Sequence, residues 1–214
     1  MDAARQVFLS GMRSIGLSLN WFADRFYSGE SNVFQRIDQD VQSIPAGADG
    51  VFSTPWFFGE YPPQAGPDVR GCFLNLKPEH DRRHMARALM EGICYHLRQR
   101  TAYFCGQYGF PWPEEVHAVG GGACSDVWMQ MLADIFGVTI RVPEAPRHAG
   151  AVGTAYSALI GLGICSDYND AAKKVRIERV FTPKQETKEI YTAGYSAYRQ
   201  LNDALKPVFS NLTK

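Results

Sequence analysis

The chain has 214 residues, room for one sizeable core or two small ones, and its 45% hydrophobic and 21% charged content is that of an ordinary soluble globular protein. Lysine plus arginine equals aspartate plus glutamate at 22 each, so no net field draws the chain toward nucleic acid or an anionic membrane. Its five cysteines, an odd number without a Cys-x-x-Cys pair, suit the reduced thiols of a cytoplasmic protein better than a disulfide framework or a zinc cluster.

The N-terminus has no apolar signal core and opens into helical periodicity. Phe8, Met12, Ile15, Leu19 and Phe22 recur at steps of four and three, which predicts a helix with one buried face. A shorter helix is expected from about Ser31 to Val41, then a turn over Pro45-Ala46-Gly47-Ala48-Asp49-Gly50 into Val51-Phe52-Ser53. The loop from Pro55 to Pro63 is dense in prolines and aromatics. Lacking a basic companion patch, it is expected to pack on the domain rather than stack on bases. Gly71 to Leu76 reads as a strand.

The longest predicted helix runs from Arg82 to about Cys105, with Met85, Leu89, Ile93 and Leu97 on one stripe and an Arg87–Glu91 pair on the other side. His80 and His84 are four apart, but Asp81-Arg82-Arg83 lies between them and adjacent arginines repel a cation. They read as solvated histidines at a helix entrance.

The most informative stretch is Gly120-Gly121-Gly122-Ala123-Cys124-Ser125-Asp126. A strand-like Val116-His117-Ala118-Val119 precedes it, and Val127, Met131 and Ile135, with Trp128 and Leu132 beside them, mark a helix after it. Ser125 is the expected N-cap. Strand, glycine turn and helix N-terminus together aim backbone N–H groups and the positive end of the helix dipole at one spot, which suits a phosphate. The same glycines also fit a plain tight turn with close helix packing. Neither common phosphate motif is present: no Gly-Lys pair exists for a Walker A loop, and Ser125 stands where a dinucleotide fingerprint needs its third glycine.

Val138 to Val142 is a strand ended by Pro143. Ala149 to Cys165 has no charged residue, is short for a membrane span, and reads as a helix buried against the sheet with Gly150 near the glycine loop. A short helix near Asp167 to Lys173 and a strand at Ile177 to Phe181 follow. Thr182-Pro183-Lys184-Gln185 combines the signals of a helix start, and Pro207 is expected to end that last helix.

In this order the pieces resemble the C-terminal domain of the FGGY carbohydrate kinases, in particular the xylulokinase-like branch, over nearly the whole chain. The resemblance rests on Pro45 to Val51, Thr54-Pro55-Trp56 with Gly59-Glu60, Arg70 to Leu76, and Arg87 to Ile93. Most specific are Gly120 to Ala123 with Leu132-Ala133-Asp134, and Gly150 to Ala155. It implies an α/β fold, the C-terminal half of an actin-like, ribonuclease-H-like ATPase, with a mixed sheet flanked by helices. Residues 1–214 would be one nucleotide-binding domain, without its first β-hairpin and without the N-terminal sugar-binding domain.

The resemblance further implies ATP or ADP lying against Gly120, Gly121, Gly122 and Ala123, bordered by Ser125, Asp126 and Gly150. Mg2+ would come with the nucleotide, its ligands outside this chain. Asp126 matches a position where some members carry an adenine-contacting asparagine. Tyr61 stands where the family usually has arginine, so an ion pair from that loop is expected to be lost. The family's catalytic aspartate belongs to the missing part, so no catalytic residue is expected here, and sugar would bind only with the N-terminal domain. The expected function is the nucleotide-binding domain of a kinase for a xylulose-like sugar or polyol, inactive alone; the alternative is a non-catalytic dimerisation or regulatory protein keeping the half-fold. An open edge at Gly71 to Leu76, where the absent hairpin would pair, predicts self-association or a complementing subunit.

Overall fold

A computed structural model describes residues 11–13, 15–62 and 66–212. The N-terminal layer holds α1 (Ile15–Phe26), α2 (Val33–Gln42), β1 (Phe52–Thr54) and β2 (Cys72–Leu74), followed by the long α3 (Arg82–Tyr108). The C-terminal layer holds β3 (Glu115–His117), α4 (Asp126–Phe136), β4 (Thr139–Pro143), α5 (Ala149–Gly161), α6 (Tyr168–Lys173), β5 (Ile177–Phe181) and α7 (Lys188–Leu212). The residue Phe8 of the predicted opening stripe lies outside the described residues. Met12 packs on the core ahead of α1, while Leu19 and Phe22 are buried as their spacing predicts.

The central element is α3, against which α1, α2, α4, α7 and β1 all pack. It runs three residues past the predicted end, to a left-handed Gly109 that closes it with a hydrogen bond to the Cys105 carbonyl. β1 and β2 form a small antiparallel ribbon with Ser53 opposite Phe73. β3, β4 and β5 form a separate sheet in that order, β3 parallel and β5 antiparallel to β4. α4 covers this sheet over the buried Ile140 and Val142. The outer strands of the larger sheet are β3 and β5, each paired with β4 alone among the described residues. The 72–74 strand pairs with β1 on one side and has no strand on its other side among the described residues, in keeping with the open edge expected there; its three residues are half-buried, Phe73 packing against Phe22 and Phe57.

Several expectations are corrected by long-range contacts. The Arg87–Glu91 pair is buried: Arg87 donates to Glu91 at 2.8 Å, to the Val41 and Ile44 carbonyls that end α2, and to the Tyr191 hydroxyl of α7. Glu91 also accepts from the Gly47 N–H, so this pair anchors the run Gly47-Ala48-Asp49-Gly50, in which every φ is positive. His84 is only 8% exposed; its ring accepts from the Asp81 N–H in a capping box and approaches Asp49 at 3.3 Å. Trp56 from the aromatic loop is fully buried, in agreement with a loop that packs on the domain. In that loop Glu60 lies 3.3 Å from His96 with both side chains buried, but the ring accepts from the Trp56 indole N–H through its other nitrogen, so this contact does not restore the ion pair expected to be lost. Burial alone would raise the Glu60 carboxyl, but the His96 hydrogen bond and the Tyr61 and Arg13 N–H groups hold it below the usual range.

Three corrections concern the C-terminal third. No residue of α5 is buried, although its sequence is free of charge. An apolar composition marks what a helix can bury, and its main contacts here are only α6 and the short turn preceding it. Gln185 to Thr187 form a 3-10 turn and α7 starts at Lys188, because the Lys184 N–H is taken by Asp134 and the Thr182 carbonyl by Gln130, tying the segment to α4. Pro207 lies inside α7, whose last turn is held by Phe209 packed edge-on against Trp56.

Candidate functional site

The glycine loop leaves β3 and turns at once. The Ala118 N–H donates to the Arg141 carbonyl at 2.9 Å, and the Gly120 N–H to the Pro146 carbonyl at 2.8 Å, so the loop is hung from β4 and the turn that follows it. Gly120 has φ 94° and ψ −174°, a conformation essentially reserved for glycine. Gly121 to Cys124 make a single 3-10 turn, and Ser125 caps α4 as predicted, its Oγ accepting from the Trp128 N–H at 3.1 Å.

Two side chains from distant elements hold this loop. On one flank the Ser125 hydroxyl also donates to Asp38 of α2 at 2.7 Å. Burial raises the Asp38 carboxyl above its ordinary value and the nearby Asp126 charge adds to this, against the Ser125 hydrogen bond. On the other flank Arg179 of β5 donates to the Ala123 carbonyl at 2.8 Å and forms an ion pair with Asp126.

Between the loop and the two N-terminal helices lies a cleft of about 480 Å³. Leu19, Ile37, Met90 and Trp128 give it an apolar floor; Asn20, Gln35, Asp38, Ser125 and Arg147 give it polar walls, with Gly16, Gly121, Gly122 and Cys124 at the backbone side. An apolar slot with a few convergent polar groups is the usual form of a small-molecule site. A Cβ on Gly122 would meet the Trp128 ring at 2.9 Å, whereas one on Gly121 would meet nothing within 4 Å. Close packing on Trp128 thus requires glycine at 122, the plain reading of the motif, and open space at 121 is what a ligand would need.

Of the residues singled out from sequence, Gly121, Gly122 and Ser125 line the cleft. Gly120 sets the turn behind it, and Ala123 is buried with its carbonyl on Arg179. Asp126 is not among the lining residues and pairs with Arg179. Gly150 is not among the lining residues; its neighbours Ala149, Val152 and Gly153 border a second cavity of about 450 Å³, between α5 and the β3 end of the sheet. Asn20, Asp38 and Arg147 were not legible as site residues, because only the tertiary fold brings α1, α2 and the turn after β4 to the loop. Among the described residues no group of three His, Cys, Asp or Glu side chains is placed to hold a metal, and no helix is long and apolar enough to cross a membrane.

Residues 7–162 match the FGGY family of carbohydrate kinases, C-terminal domain. The chain is 35% identical over 208 residues to a xylulose kinase of Bacillus subtilis (strain 168), covering 92% of this chain and 40% of the relative. It is 30% identical over 206 residues to a gluconokinase of Bacillus licheniformis, covering 92% of this chain and 40% of that protein. Among solved structures, the xylulose kinase from Rhodospirillum rubrum superposes with a TM-score of 0.79 at 29% identity, over 93% of this chain and 40% of that one. The ligand-bound xylulose kinase from Lactobacillus acidophilus gives 0.81 at 25% identity, over 92% and 39%. The chain thus spans about 40% of the length of these relatives. The mixed sheet, the glycine loop between β3 and α4, and these matches lead to one assignment: the chain belongs to the FGGY family of carbohydrate kinases, to which it corresponds as the C-terminal domain.

Proposed function

We propose that this chain is the nucleotide-binding part of an ATP-dependent carbohydrate kinase acting on a xylulose-like sugar or polyol, and that it does not turn over alone. The observation that carries the reading is the cleft walled by the glycine loop, α1 and α2. Its floor of Leu19, Ile37 and Trp128 suits a flat base, Asn20, Gln35 and Ser125 offer hydrogen bonds, and the open face of Gly121 admits a ribose and its phosphates without a side chain in the way. Phosphoryl transfer needs nucleotide, metal and acceptor hydroxyl held together, and this chain supplies one wall of such a site. Magnesium would supply charge neutralisation on the phosphates; no residue here is assigned to it.

With one wall present, ADP is expected to bind at roughly millimolar affinity, and a tenfold excess over that dissociation constant should stabilise the chain by about 1.4 kcal/mol. A thermal shift series with ADP, run beside coupled ADP-release assays over pentoses, ketopentoses, gluconate and glycerol, tests both halves. A magnesium-independent shift without sugar-dependent turnover is the expected result. Gly121→Val should abolish the shift while leaving the fold intact, a cleaner probe than a change at Gly122, which would displace Trp128. Retention of the shift by a folded Gly121→Val chain would move the ligand elsewhere, and turnover above a mock preparation would overturn the idea of an incomplete enzyme.

The alternative, a protein that keeps the half-fold for association, is favoured by the surface left at this end: the outer strands β3 and β5 each pair on one side only among the described residues, and no residue of α5 is fully buried. Light scattering should then show a dimer or larger species. A monomer at high concentration that still shifts with ADP would leave only the nucleotide-binding reading.

A further inference from the structure

Among the residues lining the cleft, Arg147 is the sole cation. It belongs to the short 3-10 turn Pro146–His148, and the Gly120–Pro146 backbone hydrogen bond couples that turn to the glycine loop. Its Nε donates to the Cys124 sulfur at 3.3 Å, which ties the guanidinium to the glycine loop. Among the described residues no carboxylate forms an ion pair with it. Asp38, the carboxylate of the same cleft, is engaged by Ser125 instead. A guanidinium anchored through one nitrogen still presents its two terminal NH2 groups, the fork that matches two oxygens of a phosphate.

We propose that Arg147 is a ligand of the nucleotide's phosphate groups, placed beside the glycine loop by its contact with Cys124. This rests on the nucleotide reading above and extends it, since it assigns the anion contact to a residue outside the glycine motif. Adenosine, which has the base and ribose but no phosphate, separates the two ideas. In titrations of the full chain followed through the Trp128 indole N–H resonance, wild type should bind both ADP and adenosine. Arg147→Met should weaken ADP about tenfold, the value of one charge-assisted contact, and leave adenosine unchanged at an unaltered melting temperature. Arg147→Lys should recover part of the ADP affinity. Equal weakening of both ligands would place Arg147 on the base or ribose and overturn the proposal, as would no change in either. Binding of neither ligand to wild type would sink the nucleotide reading itself, and this assignment with it.

Discussion

Arg87→Met is expected to lower the stability of the chain by about 3–5 kcal/mol, the cost of leaving one partner of a buried ion pair uncompensated. Burial works against the Arg87 charge, but Glu91 and Tyr191 outweigh it and hold the guanidinium above its ordinary value. Its removal strips the carbonyls of Val41 and Ile44 of a donor and leaves Glu91 with only the Gly47 N–H and the Tyr191 hydroxyl. The pH dependence gives a signature. Burial pushes the Glu91 carboxyl above the ordinary glutamate range, so the folded chain binds more protons than the unfolded one between the two pKa values, and stability falls as pH rises through that window. Without Arg87 the window widens, and the deficit of the variant should shrink toward acid pH. Arg87→Met combined with Glu91→Gln should recover part of the loss. Denaturant unfolding across a pH series measures all three, and a loss below about 1 kcal/mol that ignores pH would mean the pair is not isolated from water.

The second large effect comes from backbone contact. A Cβ at Gly92 would sit 2.2 Å from the Ser53 carbonyl oxygen, where β1 crosses α3. Alanine is the better helix former by about 1 kcal/mol, yet Gly92→Ala is expected to cost about 3 kcal/mol, because strand and helix backbones must separate. Gly106 in the same helix meets nothing within 4 Å. Gly106→Ala should therefore gain up to about 1 kcal/mol, and this opposite sign within one helix is the control. Equal changes at both positions would show that β1 does not rest on α3.

These two sites indicate where reading from sequence succeeds. The apolar stripe of α3, the Ser125 cap and the glycine turn are local signals, written within three or four residues, and each appears where its spacing puts it. The Arg87–Glu91 spacing was legible as well, but its burial depends on α2 and α7 arriving from outside, which no local pattern reports. The same holds for the cleft. Asp38 lies 87 residues from Ser125 and Arg179 lies 56 from Ala123, so the two holds on the loop have no signature near it. α5 shows the converse error, since a stretch free of charge reads as buried whether or not a surface exists to cover it.

That uncovered helix has a thermal consequence. Val152 on α5 and Leu162 and Ile164 just beyond it stand 42%, 74% and 66% exposed. Near room temperature the removal of such surface from water is driven by entropy and carries a negative heat-capacity change. Association through α5 should therefore strengthen as a cold solution is warmed and reverse on cooling, whereas pairing along β3, built on backbone hydrogen bonds, has no such origin. If light scattering finds an associated species, the sign of its temperature coefficient distinguishes contact through α5 from pairing along a strand edge.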